Sequence, residues 1–135
     1  GGEPIQLTDV FATKPVFSPD GNFFACYYGE PTGQTKSKLA VIPVSGGQPT
    51  KLLDFPLMEK TPIFRWGKNG KELIYIDKSG QNNNFWSQSL ENNDPAKSLT
   101  DFKSEDIFRF DVLNGKIAFV RGHETSDVIM IENFR

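Results

Sequence analysis

The chain has 135 residues, 37% hydrophobic and 24% charged, the composition of an ordinary globular domain with enough length to bury a core. Its formal net charge is −2 and its charges are interspersed, so it lacks the basic stripe that nucleic acid or an anionic membrane surface requires. No apolar run approaches the ~20 residues of a spanning helix, which excludes membrane insertion by a helix of this segment, and the single cysteine, Cys26, excludes an internal disulfide.

The elements follow one another as short strands between glycine-, proline- and asparagine-rich turns. Pro4-Ile5-Gln6-Leu7-Thr8-Asp9-Val10 opens with a strand over about Glu3 to Thr8. Phe17-Ser18-Pro19-Asp20-Gly21 then leads into the apolar run Phe23-Phe24-Ala25-Cys26-Tyr27, and a polar loop, Gly29 to Ser37, precedes a strand over Lys38 to Val44. Asx-Gly between apolar runs is a strong hairpin signal, because the glycine takes positive φ without steric cost. Pro49-Thr50-Lys51-Leu52-Leu53-Asp54-Phe55 begins the same series again, with Trp66-Gly67-Lys68-Asn69-Gly70 before Leu73-Ile74-Tyr75-Ile76, a loop at Gln81-Asn82-Asn83-Asn84, and a strand over Asn84 to Leu90. Pro95-Ala96-Lys97-Ser98-Leu99-Thr100-Asp101-Phe102 begins a third series, with Phe110 to Gly115 before Ile117-Ala118-Phe119-Val120, a loop over Arg121 to Ser126, and a strand over Asp127 to Ile131.

Two independent elements share this period. Asp9, Asp54 and Asp101 are spaced by 45 and 47 residues, and Gly21, Gly70 and Gly115 by 49 and 45. No segment has helical periodicity, and the 12 Phe suit the half-buried surface of a strand. Four short strands in a repeat of 40–50 residues predict an all-β fold of three four-stranded β-propeller blades, with repeat units of about 3–48, 49–94 and 95–135. Three blades do not close a ring. The spacing therefore predicts half of a six-bladed propeller, closed by a homodimer or by further blades of a longer chain. In the dimer, the opening strand with Ile5 and Leu7 would complete the partner's last blade beside the strand with Val128 and Met130.

Gly-Gly-x-Pro-x-x-Leu-Thr followed by Phe17-Ser18-Pro19-Asp20-Gly21 resembles the TolB-type, WD-like propeller repeats of bacteria. The stretch from Ile107 to Arg135 resembles the C-terminus of the propeller sensor regions of some bacterial serine/threonine kinases. The resemblance implies a natural C-terminus at Arg135, a missing N-terminal portion and an extracytoplasmic location. It does not carry kinase activity, since no Gly-rich phosphate loop, catalytic loop or Asp-Phe-Gly motif occurs in this sequence.

Residues with catalytic chemistry are sparse. His123 lies in a Gly, Glu, Thr and Ser loop and is too close in sequence to Ser126 and Asp127 to form a triad with them. One Cys and one His do not make a zinc site, Cys26 reads as a small core residue, and Asp9, Asp54 and Asp101 read as turn caps repeated by duplication. Neither a metal nor a cofactor is expected, and no enzymatic activity. Loops held on a rigid scaffold are where binding is expected, so Gln81, Asn82, Asn83, Asn84, Arg121 and His123 are the candidate binding-face residues. The expected function is a non-catalytic binding or sensory module for a protein or small ligand. The alternative is the gating or substrate-binding propeller domain of a larger hydrolase, such as a prolyl-oligopeptidase-like peptidase.

Overall fold

The computed structural model of the chain describes residues 2–29, 38–54, 63–78, 83–92 and 94–125. These residues are all-β: ten strands and no helix, hence no helix long and apolar enough to cross a membrane among them. The first sheet is an antiparallel meander of β1 (Ala12–Phe17), β2 (Phe23–Tyr28), β3 (Lys38–Pro43) and β4 (Lys51–Leu53), hydrogen-bonded in that order. The second repeats it with β5 (Phe64–Trp66), β6 (Glu72–Asp77), β7 (Asn84–Ser89) and β8 (Lys97–Ser98). The third contains β9 (Asp106–Leu113) and β10 (Lys116–Gly122).

The near-continuous apolar character of β2, β3 and β6 has a direct cause. Successive strand residues point to opposite faces, and each of these strands is buried on both. Ala25 and Tyr27 with Leu39 and Val41 meet Phe64, Trp66, Leu73 and Tyr75 between the first and second sheets. The alternate residues of the first sheet, Phe24, Cys26, Ala40 and Ile42, form a separate cluster on its other face, against which Leu7 packs. On the second sheet, Ile74, Ile76 and Phe85 turn the other way to meet Ile107 and Phe110 of the third. Edge-to-face ring pairs fix both seams, Tyr27 with Phe64 at 5.4 Å and Phe85 with Phe110 at 5.1 Å between centroids. The sheets thus stack face to face in chain order, and β5 runs beside β1 on one side and β9 on the other.

All three Asx-Gly elements form the predicted turns. Gly21 and Gly70 have φ of 71° and 66° and donate to the carbonyls of Ser18 and Gly67. Asn114 and Gly115, with φ of 52° and 75°, make the tightest, a two-residue connection between the paired Leu113 and Lys116.

The Pro-x-x-Leu motif behaves differently in its three copies. The second and third copies supply β4 and β8, which pair with β3 and β7, so each completes the sheet of the preceding repeat. The first copy forms no strand: Ile5 is 81% exposed, and residues 6–10 are held by local bonds from Gln6 Nε2 to the Thr8 carbonyl and Asp9, and from the Val10 amide to Thr8 Oγ1. The predicted strand over Glu3 to Thr8 is therefore absent. A strand needs a partner edge; the other two copies find theirs on β3 and β7 of the preceding sheet, and no described sheet precedes the first copy. The predicted strand over Asp127 to Ile131, with Val128 and Met130, lies outside the described residues.

Candidate ligand cleft

The turns that follow β1, β5 and β9 approach one another and leave a cleft of about 390 Å³ between them. Strand alternation sets its chemistry. Phe64 and Trp66 of β5 point into the seam with the first sheet, so Arg65 between them points the other way, toward β9. Arg65 Nε meets Asp111 Oδ1 at 3.0 Å, Nη1 donates to the Phe64 carbonyl at 2.9 Å, and the guanidinium carbon lies 5.9 Å from the Phe110 ring centroid. On the opposite side, Trp66 Nε1 donates to the Val16 carbonyl at 2.8 Å. β5 is thus tied by one side chain to each flanking first strand.

The Asp111 carboxyl is held below its ordinary value, chiefly by the Val112 amide it accepts from and then by Arg65. It is a permanent anion at neutral pH, compensated by Arg65. Lys68, in the turn after β5, also lines the cleft, is exposed, and has no ion-pair partner among the described residues. Two cations against one carboxylate leave the cleft net positive. Asn114 adds an exposed amide, and Phe17 (63% exposed) and Leu113 (74% exposed) form an apolar rim.

The residues singled out from sequence lie elsewhere. Asn83 is buried and donates to Asp106 at 2.6 Å. Asn84 Oδ1 accepts from Thr100 Oγ1 at 2.9 Å and from the Phe102 amide at 2.7 Å, which pins the segment after β8. Arg121 stacks over Phe102 at 4.1 Å, donates to the Ser104 carbonyl at 2.6 Å, and has Nε 3.0 Å from Glu105 Oε2. All three therefore hold the approach to β9. It contains Glu105 at a φ of 68°, a conformation a non-glycine residue adopts at a cost. His123 is exposed, Ile5 is exposed and Leu7 is half-buried, while Gln81 and Asn82 lie outside the described residues. Asp9, Asp54 and Asp101 have unrelated partners, Gln6, Lys38 and Lys103 respectively.

Arg65 and Asp111 were not legible as a pair, being 46 positions apart. The available signal was the charged residue within Phe64-Arg65-Trp66, an arrangement that puts a cation on the face opposite two core aromatics. The chain matches no protein-family model, no curated protein and no solved structure.

Proposed function

We propose that the chain is three blades of a six-bladed, TolB-like β-propeller and serves as a non-catalytic binding or sensory scaffold, its ring completed by a second copy. The observation that carries the reading is the position of β5 between β1 and β9 in face-stacked meanders, since a propeller brings the first strands of its sheets together around one axis. Transfer of β4 and β8 to the sheet of the preceding repeat supports it, as does the strand-free first copy of the same motif.

A second copy is favoured by the outward face of the third sheet. Val120 is 59% exposed and Phe108, beside it at the β9 bulge, 39%, with exposed Ala118 two residues before Val120 on the same face of β10. Apolar residues grouped on one sheet face mark an interaction surface. The deciding measurement is mass in solution by sedimentation equilibrium. A dimer of about twice 15.2 kDa, dissociated by Phe108→Glu with Val120→Lys, is the expected result. A well-behaved 15.2 kDa monomer at high concentration would sink the proposed closure.

A further inference from the structure

The geometry assigns to the cleft between the β1, β5 and β9 turns an organic monocarboxylate ligand that carries an apolar group beside its carboxylate. The inference deepens the binding reading and rests on it only in taking the chain to be a ligand-binding protein.

Three observations set the ligand class. First, Arg65 commits Nε to Asp111 and Nη1 to the Phe64 carbonyl, and its Nη2 has no hydrogen-bond partner among the described residues. Its free donor is held in place by those two bonds and by the Phe110 ring, so little rotamer entropy is lost when an anion binds. Lys68 adds a second, movable cation on the neighbouring turn. Second, Asp111 remains in the cleft as a fixed negative charge, which limits how much additional anionic charge the site accommodates. A single carboxylate is compensated by Arg65 and Lys68 together, whereas a phosphate dianion leaves the three groups and ligand with net negative charge. Third, the rim is apolar. Phe17 and Leu113 are the most exposed hydrophobic residues of the cleft, and covering them requires an apolar group within a few ångströms of the carboxylate.

Two sources share this chemistry, a free small acid and the C-terminus of a peptide ending in an apolar residue. The test titrates ¹⁵N-labelled protein with 4-phenylbutyrate, with an N-acetylated tripeptide ending in Leu, and with the amide of each. Shifts of the Trp66 indole N–H and of the Gly67, Lys68 and Gly115 amides are the readout. Saturable shifts with the acids, and at least fivefold weaker binding of the amides, are expected. The tighter of the two acids identifies the source. Lys68→Gln should weaken binding about 2–5-fold and Lys68→Glu about tenfold, consistent with a solvent-exposed ion pair. Neither variant touches a structural contact of Arg65. Raising salt from 50 mM to 0.5 M should weaken the acids and leave the amides unchanged.

Equal binding of acid and amide would overturn the inference, as would no shift at Trp66, Gly67, Lys68 or Gly115 at millimolar acid. Shifts confined to His123, Glu124 and Thr125 would reject this cleft while leaving a binding function intact. A monomeric mass would reject ring closure without touching the cleft.

Discussion

The indole Nε1 of Trp66 crosses from β5 to the Val16 carbonyl of β1 at 2.8 Å, although the two residues are 50 positions apart. The ring itself packs in the seam between the first and second sheets and is 6% exposed. One residue thus contributes both apolar area and a directional bond to the same contact. Trp66→Phe removes the donor and keeps most of the area, and should cost about 1–2 kcal/mol, including the Val16 carbonyl left without it. Trp66→Ala should cost about 3–5 kcal/mol through the cavity it leaves. Urea denaturation of both variants measures the difference, and an unchanged stability of Trp66→Phe would show that the bond contributes nothing.

Asn84 should behave as a structural residue. Its amide replaces backbone partners for Phe102, and Thr100 Oγ1 in turn accepts from the Phe85 amide at 3.0 Å. Asn84→Ala and Thr100→Val should each cost about 1–3 kcal/mol, and the double variant less than their sum because the bonds form one chain. A double-mutant cycle by denaturant midpoint checks this. Additive losses would mean that the network is not coupled.

Cys26 is fully buried and its thiol is pushed up to about 11 by burial. Thiolate is the reactive form, so iodoacetamide at pH 8 should leave the native protein unmodified and alkylate it fully in 6 M guanidinium. Mass spectrometry of the two samples distinguishes the cases. Modification without denaturant would show that the first sheet opens locally.

Acid should destabilise the protein in part through Asp20 and Asp111. Both carboxyls are held below their ordinary value, Asp20 first by the Ser18 hydroxyl and then by Asn22, Asp111 first by the Val112 amide and then by Arg65. A native pKa below the unfolded one adds stability that is complete above the unfolded aspartate value of about 3.9 and disappears as pH falls through the native value. Guanidinium midpoints at pH 6 and pH 3 should therefore differ less in the Asp20→Asn, Asp111→Asn double variant than in the parent. An unchanged difference would assign the acid sensitivity to other groups.

What the sequence made legible is what local chemistry decides. Phe23 to Tyr28, Leu39 to Ile42 and Leu73 to Ile76 are apolar on both faces, and they became the strands buried on both sides. Asp20-Gly21, Asn69-Gly70 and Asn114-Gly115 read as turns because positive φ is a property of the residue itself. Pairing across the fold was less legible. Pro4 to Asp9 shares its pattern with β4 and β8 yet forms no strand, since the pattern carries no information about whether an edge is available. Asn83 and Asn84 read as a solvent-facing polar loop, but their partners Asp106 and Thr100 lie 23 and 16 residues further along. The cleft was hidden for the same reason. Arg65, Lys68 and Asp111 each look like surface charge until the stacking of the sheets brings them together.

The offset between repeat and sheet affects how the protein is made. The first sequence repeat, counted from one Pro-x-x-Leu motif to the next, ends before Pro49, but the first sheet is complete only when Lys51–Leu53 has paired with β3. On a ribosome, the first sheet stays one strand short until residues of the second repeat emerge, and the second waits likewise for Lys97–Ser98. The second and third repeats are each stitched to the preceding one by a strand they donate. Excision at a repeat boundary should therefore yield a sheet that lacks its fourth strand and bares the edge of the third, whereas excision at a sheet boundary preserves all four strands.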